Sequence, residues 1–207
     1  MAKVKFEKEI TALLVVDPYN DFISEGGKSW DRIRAVAEAN DCVPHMLQVL
    51  NAARNAKLPV FYALHHRYRP GDYETWKYVA PIQKAAWLRK TFEAGTWGGE
   101  IRPEFEPKPG EIVATEHWCS SGLRQHRLRF AAQEARHSSA YCHRSHSTHL
   151  HRSDRSLCRG VWLRGDGGKR CDGGLLERVD ARRSRLNIPN YASVVTTKEV
   201  VESISSL

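Results

Sequence analysis

The amino-acid sequence predicts one α/β domain built around a parallel β-sheet. Continuous apolar runs at residues 11–16 and 58–64 are typical of buried parallel strands, and residues 43–56 between them carry apolar side chains at helical spacing. A chain of 207 residues suits a single core of this kind. The order of strand, helix, strand, long loop and strand favours a parallel sheet over an antiparallel one.

Local signals define the first strand and the helix that follows it. The strand T-A-L-L-V-V ends at Asp17, and the turn-forming residues D-P-Y-N-D at 17–21 come directly after it. The helix predicted at 43–56 begins shortly after Asp41, which we expect to act as its N-cap.

Two further segments are predicted to add strands to the sheet. A short strand is expected at 111–115, after a Pro-Gly turn, and another at 192–196. Thr196 and Glu199 have the spacing of a capping box, which predicts a last helix at 198–204.

Three polar residues come directly after predicted strands: Asp17, His65 and Glu116. In an open parallel sheet, the ligand crevice lies at the C-terminal ends of the strands. The sequence therefore predicts that these three residues share one crevice.

The positive charge of the chain is concentrated in residues 122–186. The net charge is +8; this block holds 14 arginines and one lysine against six acidic residues, whereas the remainder holds 17 basic and 18 acidic residues. The block shows neither helical spacing nor strand alternation, so read literally it predicts irregular structure. It also lacks the interleaved aromatic residues and basic-helix order of a nucleic-acid-binding arm, so we do not expect a nucleic-acid partner.

The composition also bears on the location of the protein, on the state of its cysteines and on whether it binds a metal or cofactor. No apolar run approaches the ~20 residues needed to span a bilayer, and the charged N-terminus has no signal-type apolar core, so we expect a cytoplasmic protein. Five cysteines at irregular spacing favour reduced thiols over a disulfide framework. The His and Cys residues of the block at 142–158 match no zinc template. We expect neither a metal nor a cofactor.

Three motifs in order carry a resemblance to the isochorismatase-like cysteine hydrolases. They are L-L-V-V-D-P-Y-N-D-F at 13–22, P-G-E-I-V-A-T-E-H-W-C-S-S-G at 109–122 and N-I-P-N-Y-A at 187–192. The resemblance covers about residues 10–122 and 187–207. It implies a three-layer α/β/α sandwich with a central, mostly parallel sheet, in one domain spanning residues 1–207.

The resemblance also implies a function. It is that of a hydrolase, often a homo-oligomer, that cleaves an amide C–N or enol-ether C–O bond of a small molecule through a covalent thiol intermediate. In the implied Cys-Asp-Lys triad, Asp17 takes the thiol proton. The lysine position is Glu116 here, a departure that places a second carboxylate at the crevice and would raise the pKa of one of the two. His117 beside it is an alternative source of positive charge.

The family nucleophile belongs in residues 122–186, yet no matching strand-to-helix turn with a cysteine is present there. We predict that residues 123–186 are family sequence read in a shifted frame. Codons for residues 122–127 can be chosen so that the shifted reading is F-A-N-T-D, and those for 141–152 so that it is I-V-I-G-L-I-A-H-T-C-I-E. The cysteine then falls on Leu150, which is the position expected for the nucleophile.

The remaining candidates each have a structural and a functional interpretation. His66, Trp97 and Trp118 are predicted substrate-pocket walls, since a site for small ligands needs apolar lining; the two tryptophans are equally typical of plain packing. Asp21 is expected to be a turn or cap residue, and Cys119 an ordinary loop cysteine. The alternative to an enzyme is a catalytically inactive pseudo-enzyme with a basic arm, for which nucleic acid is the candidate partner.

Overall fold

The structure is a computed structural model that describes residues 6–118, 139–144, 160–164 and 192–207. Every structural statement below concerns this part of the chain.

Six strands form the parallel framework. Their bounds are β1 Thr11–Val16, β2 Val60–Ala63, β3 Ile112–Val113, β4 Ser139–Arg144, β5 Gly160–Arg164 and β6 Ala192–Thr196. The first four form one parallel sheet in the order β3-β2-β1-β4. Strands β5 and β6 pair in parallel, and the backbone of β5 lies beside that of β4. The predicted parallel α/β class is confirmed.

Helices connect and cover these strands. Their bounds are α1 Asn20–Ile23, α2 Arg34–Ala39, α3 Cys42–Asn55, α4 Pro81–Arg89 and α5 Thr197–Ser205. Helices α3 and α5 pack against each other. Their side chains, including Leu50 and Val200, share one apolar core with Leu13 and Val15 of β1. This layer covers one face of the sheet. Within the described helices, none is long and apolar enough to cross a membrane.

The opposite face of the sheet is buried as well. Ala12, Leu14 and Val16 of β1 and Phe61 and Ala63 of β2 form a second apolar cluster, and none is more than 6% exposed. Burial on both faces is typical of parallel sheets that are covered on each side. It explains why the two central strands are apolar without alternation.

The two predicted helix starts have different outcomes. At α5, Thr196 and Glu199 form the capping box: each side chain accepts a hydrogen bond from the other residue's backbone N–H. At α3, Asp41 stands at the N-cap position, but its side chain makes no capping bond. Its backbone has the left-handed φ of 47° rather than the extended conformation from which an N-cap side chain reaches back to the helix.

Strands β4 and β5 lie inside the block at 122–186. The expectation of irregular structure throughout the block is wrong for these two stretches. β4 pairs along its whole length with β1, from Thr11 with Ser139 to Val16 with Arg144. Backbone hydrogen bonding of this kind is open to any residue except proline, so a strand forms there without an apolar pattern.

Candidate active site

The ends of the three strands β1, β2 and β3 bring the predicted polar residues together. The backbone N–H of Asp17 donates to the carbonyl of Ala63 at 3.1 Å, which ties the end of β1 to β2. His65 and His117 form an isolated parallel bridge that continues the pairing of β2 and β3. In that bridge His117 N–H donates to Leu64 O at 2.8 Å. Backbone pairing therefore fixes the positions of these residues.

Asp17 is buried and has an unusual backbone conformation. It is 3% exposed and has a φ of 53°, in the left-handed region that aspartate tolerates better than most residues. Its Oδ1 accepts a hydrogen bond of 2.6 Å from the backbone N–H of His65. The carboxylate is thereby held in a fixed orientation at the tip of β1.

His117 is an ionisable side chain that lies against Asp17. Its Nε2 lies 3.5 Å from Asp17 Oδ1, and each side chain is only 4% exposed. The other ring nitrogen, Nδ1, is buried and has no hydrogen-bond partner among the described residues. An acid and an imidazole in contact away from water form a unit through which a proton can be exchanged.

A second histidine stands beside this pair. The ring of His65 lies 5.7 Å from that of His117, and its Nδ1 is 2.7 Å from the carbonyl oxygen of His66. Burial lowers the pKa of His65, although the charge of Asp17 opposes the change. His65 is therefore neutral near pH 7, and a neutral ring with a carbonyl against Nδ1 carries its proton there.

Tyr19 is a buried side chain that reaches the end of β2. Its hydroxyl donates a hydrogen bond of 2.8 Å to the carbonyl oxygen of His65. Burial raises the pKa of Tyr19, and the negative charges of Asp17 and Glu116 raise it further. The hydroxyl therefore stays protonated and acts as a fixed donor.

Glu116 is held by its own partners. Its Oε1 accepts a hydrogen bond of 2.6 Å from Arg67 Nε, and its Oε2 accepts one of 3.1 Å from the backbone N–H of Arg67. His66 Nδ1 lies 3.3 Å from Oε2. Successive residues of an extended chain point to opposite sides. Glu116 and His117 therefore diverge, and it is His117 that meets Asp17.

Two of the three predicted pocket-wall residues lie together. The rings of His66 and Trp118 are stacked, with centroids 3.8 Å apart and an angle of 22° between their planes. Trp118 also contacts Trp76 and Tyr73, at centroid distances of 5.1 and 5.6 Å. These rings form an aromatic cluster next to Glu116.

Trp97 lies in a different setting. Its ring is half exposed and lies beside Gly26, and its backbone carbonyl accepts a hydrogen bond from the side chain of Asn20. Leu150, the predicted nucleophile position, and Cys119 both lie outside the described residues.

Asp21 has the structural role expected of a turn residue. It is 1% exposed, and its two carboxylate oxygens accept hydrogen bonds from the backbone N–H groups of Lys28 at 2.9 Å and Phe92 at 2.7 Å. Asp21 thus fastens two loops to the start of α1.

Sequence reasoning named His117 only as an alternative and did not anticipate Arg67 as the partner of Glu116. The signal for His117 is the alternation of side chains after β3, which places Glu116 and His117 on opposite sides. It becomes informative only once the register of β3 against β2 is known, because that register decides which side faces Asp17.

The isochorismatase domain family model matches residues 11–139. That is more than half of the chain and includes β1, β2, β3 and every residue of the crevice described above. The chain belongs to the isochorismatase family of hydrolases.

Solved structures share the fold across nearly the whole chain. A cysteine hydrolase from Pseudomonas syringae pv. phaseolicola 1448A aligns with a TM-score of 0.68 at 17% identity, over 98% of this chain and 96% of that one. An isochorismatase family protein from Burkholderia thailandensis aligns with a TM-score of 0.68 at 14% identity, over 99% and 100%. N-carbamoylsarcosine amidase from Thermoplasma acidophilum aligns with a TM-score of 0.59 at 18% identity, over 91% and 96%.

These likenesses confirm the predicted three-layer α/β/α fold. Among curated proteins, none matches the chain significantly.

Proposed function

We propose that this protein is a cysteine hydrolase that cleaves an amide C–N or enol-ether C–O bond of a small molecule through a covalent thiol intermediate, with Asp17 as the base. The observation that supports it is the buried carboxylate of Asp17, held at the tip of β1 by the His65 N–H at 2.6 Å. A carboxylate fixed this way at the C-terminal edge of a parallel sheet stands where ligands bind.

The chemistry requires a thiolate. Asp17 accepts the S–H proton, the sulfur attacks the substrate carbon, and the leaving nitrogen or oxygen departs with a proton. Water then cleaves the thioester-type intermediate and frees the sulfur. A positioned base contributes about 10²–10⁴-fold to such a step. The structural likeness to N-carbamoylsarcosine amidase supports an amide as the bond cleaved.

Position 150 is proposed as the site of the nucleophile, in the frame that converts Leu150 to cysteine. Glu116 takes the lysine position of the family triad, and His66, Trp97 and Trp118 are proposed as substrate-binding walls. The stacking of His66 on Trp118 supports a planar apolar surface at the crevice. Trp97 has no comparable support in its described contacts. We also propose a homo-oligomer that works in the cytoplasm.

The first experiment determines the sequence of the gene and the intact mass of the protein. The frame prediction expects a base inserted near codon 122 and one lost near codon 186, and an intact mass that differs from that of the 23.6-kDa chain as written. If the mass equals that of the written chain, residues 122–186 are present as written, and we expect no hydrolase activity of this type.

The second experiment measures alkylation of the full chain by iodoacetamide, with mass mapping of the labelled peptides. We expect one cysteine to react much faster than the others, and Asp17→Asn to slow that cysteine to the rate of an ordinary thiol. Asp31→Asn is the control, because Asp31 is an exposed aspartate on a short helix, so its replacement removes a carboxylate with little effect on the fold. Uniform slow labelling of every cysteine would refute the proposal and favour the pseudo-enzyme.

A further inference from the structure

Arg67 is held beside the crevice at two points by one carboxylate. Glu116 Oε1 accepts a hydrogen bond of 2.6 Å from Arg67 Nε, and Oε2 accepts one of 3.1 Å from the backbone N–H of the same arginine. The hydrogen bond to Glu116 raises the pKa of the guanidinium, although burial opposes the rise. Arg67 is therefore a permanent positive charge whose backbone and side chain are both oriented.

The two terminal nitrogens of Arg67, Nη1 and Nη2, are not used by these contacts. Within the described part of the chain neither has a hydrogen-bond partner, and the side chain is 38% exposed. Two more buried arginines differ: Arg54 Nη2 donates to three protein oxygens, and Nη1 and Nη2 of Arg102 each donate to one. A guanidinium held through Nε keeps its end-on Nη pair for a second carboxylate.

The charge of Arg67 acts on the same part of the crevice as Asp17. Burial raises the pKa of the Tyr19 hydroxyl, the carboxylates of Asp17 and Glu116 raise it further, and the positive charge of Arg67 opposes them. The backbone N–H of His65 binds Asp17, and that of Arg67 binds Glu116. Two residues span about 7 Å along an extended chain, which is the length of a small molecule.

The charges at the crevice favour one orientation of an anionic ligand. Asp17 is buried at the tip of β1, so a ligand carboxylate placed against it would bring two negative charges together away from water. The Nη pair of Arg67 offers the same carboxylate two charged donors. The carboxylate of a ligand therefore belongs on Arg67, with the rest of the molecule toward Asp17.

His66, the neighbouring residue, is less suited to binding an anion. Its Nε2 lies 2.9 Å from Asp72 Oδ2, and its Nδ1 lies 3.3 Å from Glu116 Oε2. Both ring nitrogens are thus occupied by carboxylates of the protein, whereas Arg67 keeps two donors.

We propose that Arg67 selects substrates that carry a carboxylate, by binding this group end-on through Nη1 and Nη2, while Glu116 holds the guanidinium in place. The inference rests on the proposed function and narrows it: the substrate is a small amide or enol ether with a carboxylate close to the bond that is cleaved. Glu116, at the lysine position of the family triad, is then a positioning residue, because it acts on the substrate through Arg67.

The test measures binding of succinamate, an amide with a carboxylate, and of succinamide, its neutral counterpart, by isothermal titration calorimetry at fixed ionic strength. Hydrogen bonds to a charged group are strong enough that we expect succinamate to bind about tenfold more tightly than succinamide. Arg67→Gln should abolish this preference and leave the affinity for succinamide unchanged.

Arg34→Gln is the matched control. The Nε of Arg34 also donates to a carboxylate, that of Glu38 at 2.8 Å, but this pair lies exposed on helix α2. The preference for succinamate should be unchanged in this variant.

Two variants at Glu116 separate ligand binding from the effects of an unpaired carboxylate. Arg67→Gln frees Glu116, which would itself repel succinamate, so the preference should also be absent from Arg67→Gln/Glu116→Gln. Glu116→Gln alone keeps an oxygen acceptor for Arg67 Nε and removes a negative charge beside it. It should tighten binding of succinamate and leave that of succinamide unchanged, whereas loss of a purely structural contact would not affect the two probes differently.

Equal affinity for the two probes in the unaltered protein would overturn the inference, and so would the absence of measurable succinamate binding. A preference that survives in Arg67→Gln would overturn it as well. None of these results bears on the proposed function, whose test is the labelling of a sulfur. Uniform slow labelling of every cysteine would refute the proposed function whichever probe binds, so the two failures are distinguishable.

Discussion

The replacement Asp21→Ala tests whether the second aspartate of the D-P-Y-N-D turn is structural. Asp21 is 1% exposed and accepts hydrogen bonds from two backbone N–H groups, those of Lys28 at 2.9 Å and Phe92 at 2.7 Å. Alanine removes both acceptors and offers nothing in their place. The loops that carry Lys28 and Phe92 would each keep a donor with no partner.

The size of the effect follows from the burial of those donors. A buried donor left without a partner costs about 1–3 kcal/mol. The Phe92 N–H is in a buried contact and belongs near the upper end, whereas the contact of the Lys28 N–H is only partly buried. We therefore expect Asp21→Ala to lower the free energy of unfolding by about 3–4 kcal/mol. This is a large share of the 5–15 kcal/mol typical of whole domains.

Urea unfolding followed by circular dichroism measures this loss. Asp31→Ala is the control, because Asp31 is an exposed aspartate on a nearby short helix and should change stability by less than about 0.5 kcal/mol. If the midpoint for Asp21→Ala matched that of Asp31→Ala, the structural role assigned to Asp21 would be wrong.

Two further predictions concern the same scaffold. A Cβ on Gly98 would collide with the Asp21 carboxylate, so Gly98→Ala should destabilise the fold by about 1–3 kcal/mol, and by less in an Asp21→Ala background, as measured by urea unfolding. Burial opposes ionisation of Glu111, but hydrogen bonds from Arg54 and Lys108 prevail and lower its pKa. The resulting stabilisation is present above the unfolded pKa of about 4.3 and is lost as the pH falls through the lower folded value. Glu111→Gln should flatten that acid dependence in unfolding curves taken from pH 6 to 2.5; an unchanged dependence would contradict the assignment.

The elements predicted from sequence are those that bury apolar residues in a regular pattern. β1 and β2 are apolar along their whole lengths because both faces of the sheet are covered, and α3 presents Met46, Leu50 and Ala53 to the core at helical spacing. Helix α4 was missed because none of its residues is buried, so it carries no apolar stripe. The strand expected at 111–115 is reduced to Ile112–Val113, which pairs with β2 alone in the described sheet.

The candidate site was predictable only in part. Asp17 was placed correctly at the tip of β1, since a polar residue that ends an apolar run must lie at the strand's C-terminal edge. The partner of Asp17 was not predicted, because Glu116 and His117 are adjacent and only the register of β3 decides which of the two side chains faces the crevice. The bridge between His65 and His117 provides that register, and no sequence pattern encodes it.

Two aspartates four residues apart are thus assigned opposite roles by the kind of partner each one meets. Asp21 accepts hydrogen bonds from backbone N–H groups, which cannot take up or release a proton at any accessible pH. Asp17 accepts a hydrogen bond from one such group and also lies 3.5 Å from the imidazole of His117, a side chain that can bind a proton. A carboxylate in contact with a group that can gain a proton is able to respond to chemistry beside it. The difference arises because Asp17 directly follows β1 with a left-handed backbone, beside the ends of β2 and β3. Asp21 instead lies in the first turn of α1, where its carboxylate meets the loops that carry Lys28 and Phe92.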